Sequence, residues 1–159
     1  LFSGKFQGTI SGEGCHYFVL GSKGKPQSVA LMDMRAAEQP SRAEIENWLD
    51  TLLKDLDPEE TLVLMGFSGD SESDVGYYEA WQATCTNFPV GAFRHLCGTY
   101  PTSDGFALAL AIQMLKDGKI PFYVLMPTCS ISGCRRLKHV VIYSHLRGLG
   151  HVAYKLSYL

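Results

Sequence analysis

Residues Thr61 to Met65, Thr-Leu-Val-Leu-Met, form an uninterrupted apolar run with Asp-Leu-Asp-Pro-Glu-Glu before it and Gly-Phe-Ser-Gly-Asp-Ser-Glu-Ser-Asp after it. The run is far too short to cross a bilayer and has no polar alternation to give it a wet face, so it reads as a central strand buried on both sides. Such a strand needs helices on both faces of its sheet, and the chain supplies candidates. Upstream, Ser41 and Glu44 match a helix capping box, and Ile45, Trp48, Leu49, Leu52, Leu53 and Leu56 recur at helical spacing. Downstream, Thr102 or Ser103 can cap a helix through Phe106, Leu108, Leu110, Ile112 and Leu115, with Gly118 past its end and Pro121 beyond.

The remaining segments fall around this frame. Cys15–Leu20 and Ser28–Met34 read as strands, Gly76–Cys85 as a shorter helix, and Val90–Phe93 as an extended stretch. Phe122–Met126 reads as a further short strand. His139–Ser144 and Val152–Leu159 form a terminal strand pair joined by the loop His-Leu-Arg-Gly-Leu-Gly-His. Helices alternating with apolar strands define an α/β class, a mixed sheet covered by helices and ending in a strand pair. Residues 1–14 read as a connecting segment and 15–159 as the domain.

Composition narrows the function classes. A chain of 159 residues with 46% hydrophobic content can bury an ordinary core, and a net charge of -2 offers no global attraction to nucleic acid or to anionic lipid. No membrane span is expected. Five scattered cysteines fit a reducing cytoplasm. Cys129 and Cys134 stand five apart with no second pair of ligands nearby, so no metal and no cofactor is expected.

Several residues carry alternative chemistry. Gly66-Phe67-Ser68-Gly69-Asp70 after an apolar strand suggests the nucleophile elbow of a serine hydrolase acting through Ser68, with His139, His145 or His151 as base; Asp70 stands where the closing glycine belongs. His95 and Cys97 could form a thiolate pair, although neighbours in sequence seldom point at each other. Asp70, Glu72 and Asp74 resemble the start of a calcium loop, but Val75 occupies the position that needs glycine. Arg135, Arg136 and Lys138 make the one basic run, and Trp48, Tyr77, Tyr78 and Trp81 read as core or interface aromatics.

From Gly12 onward the chain resembles the C-terminal half of β-ketoacyl synthases, which have the thiolase fold. The resemblance rests on Gly-Glu-Gly at 12–14, on the strand and loop 61–80, on 91–121 with its Gly98-Thr99 turn and Gly- and Ala-rich helix, and on the glycine-rich closing hairpin 140–159. It implies a thiolase-like half. It also places Phe67 and Thr99 where the family keeps two catalytic histidines and Arg94 where it keeps a lysine, so no residue here is assigned a catalytic role. A phenyl ring cannot donate to an oxyanion, and a threonine hydroxyl is a weaker donor than imidazole. Phe67, Thr99, His145 and His151 are the candidate substrate-binding residues.

The resemblance thus implies a ketosynthase-like protein of fatty acid or polyketide biosynthesis, non-catalytic and shaping an acyl channel beside a partner. The alternatives are an active β-ketoacyl-ACP synthase or acyltransferase whose nucleophilic cysteine lies in an N-terminal half outside these residues, and the Ser68 hydrolase. Candidate partners are an acyl carrier protein and either that N-terminal half or a ketosynthase-like subunit in a homo- or heterodimer. The helix from Ser103, apolar almost all round, requires cover on all sides and points to such a companion.

Overall fold

The computed structural model describes residues 8–22, 24–127 and 136–159. Its centre is a five-stranded sheet made of β1 (Val29–Ala37), β2 (Thr61–Met65), β3 (Val90–Ala92), β4 (His139–Leu146) and β5 (Leu149–Tyr158), in the spatial order β1-β5-β4-β2-β3. β2 runs parallel to both β3 and β4, whereas β5 is antiparallel to β4 and to β1. The sheet is mixed, as expected, and the apolar run 61–65 lies inside it with every residue buried.

Alternation along β2 and β4 divides the core in two. Val63, Met65, Val141 and Tyr143 face Leu49, Leu52 and Leu53 of α1 (Arg42–Leu53) and Tyr77 and Ala80 of α2 (Val75–Thr84). Leu62, Leu64, Val140 and Ile142 face Ala107, Ala111, Met114 and Leu115 of α4 (Ser103–Asp117) on the other side. A single-turn helix, α3 (Arg94–Cys97), links β3 to the turn before α4.

α1 begins as its sequence dictates. The Glu44 N–H donates to Ser41 Oγ at 3.3 Å and the Ser41 N–H donates to Glu44 Oε2 at 2.8 Å, closing the capping box. α4 ends at Gly118 in the left-handed conformation, φ 64°. Its outer residues Phe106, Leu108, Leu110 and Ile112 are half-buried, and Ala109 and Gln113 are exposed.

Three expectations need correction. Cys15–Leu20 is not a strand: it runs outside the sheet, with Tyr17, Val19 and Leu20 exposed, and apolar composition alone does not make a strand without a partner to pair with. Phe122–Met126 is not a strand either. Pro121, with φ -62°, starts a 3-10 turn over Phe122–Val124, and only Leu125 bridges to Gly91. The closing hairpin is tighter than the predicted seven-residue loop, with two residues between its strands.

Those two residues, Arg147 and Gly148, have φ 52° and 73°, the left-handed pair that a two-residue hairpin with the right twist requires. The tip also carries a bulge. Between the pairs Ser144↔Val152 and Leu146↔Leu149, β4 has only His145 while β5 has Gly150 and His151, and Gly150 takes φ 57°.

Residues 8–14 lie against the turn that follows α3. Ser11 bridges Thr99, the Thr99 N–H donates to Ile10 O at 2.8 Å, and Thr102 Oγ donates to Gly14 O at 3.1 Å. Gly12 and Gly98 meet backbone to backbone. A Cβ on Gly98, whose φ is +81°, would stand 2.7 Å from Gly12, and one on Gly12 would overlap the Cys97 carbonyl.

Candidate functional site

The connections of β2 and β4 leave the sheet in opposite directions, one toward α2 and β3, the other toward β5. Between their carboxyl ends a crevice opens, the usual ligand position in an open α/β sheet. It is a cleft of about 670 Å3 lined by Ser68 after β2, Arg94 after β3, Thr99, Gly76 in the first turn of α2, and His145, Arg147, Gly148 and His151 at the hairpin tip. Gly8 and Thr9 of the N-terminal segment complete it, held by the Gly8 N–H donating to Asp70 Oδ1 at 2.8 Å.

Arg94 is buried and ties the strand ends together. Its Nη1 donates to Gly66 O at 2.9 Å, and its Nη2 to Ser144 Oγ at 3.0 Å and His145 O at 2.7 Å, while its buried Nε has no partner among the described residues. Two carboxyls lie in its field. Burial raises the pKa of Asp104, at the start of α4, and Ser144 and Arg94 oppose the shift. Burial also raises that of Asp74, which nevertheless accepts from the Ser68 N–H, the Gly69 N–H and Ser68 Oγ.

The two histidines stack into the aromatic wall of the cleft. The ring of His145 lies on Tyr77 at 4.1 Å and 10°, and the His151 ring follows at 4.9 Å. Tyr77 Oη takes the His145 N–H at 2.8 Å and donates to His145 O at 3.0 Å, and burial pushes its own pKa up to about 12. The Gly148 N–H donates to His145 Nδ1 at 3.0 Å. Burial first, then His151 and Arg94, push the His145 imidazole down to about 3, which keeps it neutral at ordinary pH. His151 has the Tyr143 hydroxyl at Nδ1, 2.9 Å away, and Gly148 O at Nε2, 3.0 Å away.

The cleft brings together Thr99, His145, His151 and Arg94 from the sequence candidates but not Phe67. The Phe67 ring is wholly buried, 5.2 Å from Tyr77, 4.9 Å from Tyr78 and 6.5 Å from Trp81. Ser68 lines the cleft, yet its hydroxyl donates to Asp74 at 2.9 Å and accepts the Asp70 N–H at 3.3 Å, with no histidine in reach. The hydrolase arrangement is not formed. His95 Nε2 pairs with Tyr123 O at 2.7 Å rather than with Cys97, whose thiol pKa is raised by burial, the reverse of activation.

Asp74 turns inward to hold the loop while Glu72 stays exposed, so the three loop acids do not converge. Among the described residues no three His, Cys, Asp or Glu are grouped to hold a metal ion, and no helix is long and apolar enough to cross a membrane. Cys129, Cys134 and Arg135 lie outside the described residues. Sequence reasoning gave no role at the site to Gly8, Thr9, Gly76 or Arg147. Each belongs to it through a backbone position or a turn, for which no motif existed.

No protein-family model and no curated protein matches the sequence. Solved structures do. The chain is similar to a chain of AntDE:AntF, a type II polyketide synthase acyl-carrier protein in complex with its ketosynthase bound to the hexaketide (TM-score 0.52, 14% identity, 81% of this chain and 33% of that one). It is similar also to two oxazolomycin ketosynthase domains of OzmH from Streptomyces albus JA3453. For KS8 the TM-score is 0.54, with 12% identity over 81% of this chain and 44% of that one. For KS7 it is 0.55, with 14% identity over 82% and 30%. The fold is therefore the thiolase-type α/β half seen in ketosynthases, and the chain spans about a third to less than half of the length of these structures.

Proposed function

We propose that this chain is a ketosynthase-like component of polyketide or fatty acid biosynthesis that shapes an acyl channel beside an active partner and does not itself drive decarboxylative condensation. The observation that carries the reading is Phe67. At the position where the resemblance calls for an imidazole, the chain has a phenyl ring locked among Tyr77, Tyr78 and Trp81, with no polar hydrogen to offer a developing enolate. Thr99, at the second such position, faces the cleft but offers only a neutral hydroxyl. Arg94, at the lysine position, has both terminal nitrogens engaged with Gly66, Ser144 and His145. An acyl carrier protein is the natural source of the chain in the channel, since one of the structurally similar proteins was captured with its own carrier.

The test is carbon dioxide release from malonyl-loaded acyl carrier protein by the purified chain, alone and mixed with an active ketosynthase. Background release from the chain alone, with product length altered in the mixture, is the expected result. Robust decarboxylation or condensation by the chain alone overturns the reading in favour of an active synthase.

A further inference from the structure

Of the candidates that the ketosynthase resemblance singles out, Arg94, Thr99, His145 and His151 reach the cleft, and the protein already occupies most of their hydrogen-bonding capacity. Both terminal nitrogens of Arg94 serve the ends of β2 and β4. Both ring nitrogens of His151 are used, one by Tyr143 and one by Gly148 O, so its imidazole holds the hairpin and has no atom left for a ligand. His145 differs. A backbone N–H can only donate, so the Gly148 N–H at Nδ1 requires a lone pair there and places the proton of the neutral ring on Nε2. That Nε2–H has no partner among the described residues, and the ring is held rigidly by its stack on Tyr77. Gly76 stands beside it without a side chain, and a Cβ there would sit 3.6 Å from Nε2, in ordinary van der Waals contact. Thr99, whose hydroxyl also lacks a partner among the described residues, lines the same cleft.

We propose that the Nε2–H of His145 is the donor that seats the carbonyl oxygen of a bound acyl thioester in this cleft. A fixed, uncharged donor suits a neutral carbonyl, whereas a carboxylate would be drawn to the exposed guanidinium of Arg147. The assignment rests on the acyl-channel reading but concerns a residue on which that reading does not depend.

The experiment titrates the full chain with the hexanoyl thioester of N-acetylcysteamine and follows the 15N-labelled imidazole resonances. The free protein should show His145 protonated at Nε2, and that resonance should move on binding. His145→Phe keeps the stack on Tyr77 and should weaken binding about fivefold to tenfold, the loss of one hydrogen bond. His145→Gln, which can place an N–H near the same point, should stay within about twofold of wild type. Unchanged affinity in His145→Phe, or an Nδ1–H tautomer in the wild type, overturns the assignment and leaves the channel reading standing. If His145→Phe fails to fold, the tautomer and the resonance shift of the wild type still decide. A wild type that binds no thioester fells both together, and preferential binding of free hexanoate would make the ligand an acid rather than a thioester.

Discussion

At the residue scale, His145 shows how a side chain of ordinary chemistry acquires a specific state from its surroundings. Its imidazole is neutral because burial and the neighbouring His151 and Arg94 disfavour the charge, and its tautomer is set by one glycine N–H. The same burial links it to stability. In the unfolded chain a histidine titrates near pH 6.5, whereas in the folded chain this one is depressed to about 3. As pH falls below about 6.5 the unfolded state takes up the proton first, so stability drains away by up to about 1.4 kcal/mol per pH unit until pH approaches the folded value. Thermal unfolding of the wild type between about pH 7 and about pH 4.5 should therefore fall more steeply than that of His145→Gln, which has no imidazole to protonate. Parallel profiles would show that His145 is not the buried neutral group described. The sequence singled out His145 and His151 as candidates from the glycine-rich tip alone. It gave no sign that one would be consumed by its neighbours and the other left with a free N–H, because that difference arises from hydrogen bonds to Tyr143 and Gly148.

At the scale of elements, the parts readable in sequence are those whose determinants are local. The capping box, the helical spacing of Leu49, Leu52 and Leu53, and the unbroken apolar run of β2 each specify their element within a few residues. Ser41→Ala removes the acceptor of the Glu44 N–H and should cost about 1 kcal/mol in urea unfolding with an unchanged denaturant slope. An effect below about 0.3 kcal/mol would mean that α1 is held by packing alone. Where an element depends on a distant edge, sequence reasoning failed. Cys15–Leu20 and β1 have similar apolar composition, yet only β1 finds β5 to pair with. Phe122–Met126 has the composition of a strand but enters from Pro121, and the turn geometry prevails. The hairpin departs from the expected seven-residue loop because Gly148 and Gly150 allow a tight turn and a bulge.

For the whole molecule, the distribution of apolar surface is uneven. Among the described residues β1 pairs only with β5, and its Leu31, Met32 and Met34 are each about half exposed, at 48%, 55% and 54%. Phe18, Val19 and Leu20 add an exposed segment before it, and the outer face of α4 is only partly covered. A free edge strand carrying large hydrophobes invites pairing with another chain. Sedimentation velocity of the purified chain should show a dimer or larger species, or aggregation, and Met32→Lys with Met34→Lys on the exposed edge should shift it toward monomer. A wild-type monomer at all concentrations would count against a companion for this fold.

The bulge at Gly150 has a consequence for how the hairpin can change in length. Side chains on a strand alternate sides with a period of two, so the one extra residue at Gly150 acts as a parity bit: it lets a two-residue tip close while His151 and Ala153 stay on the side of α1 and α2. A one-residue change in the tip that left the bulge in place would instead exchange odd for even positions along β5. Leu156 and Val152 would then face the wrong layer, and no imidazole would meet His145. Insertions or deletions of two residues preserve the parity and those of one preserve it only by adding or removing a bulge, so relatives of this chain with hairpins of other lengths should differ from it by even steps, or should lack this bulge or place one elsewhere in the strand.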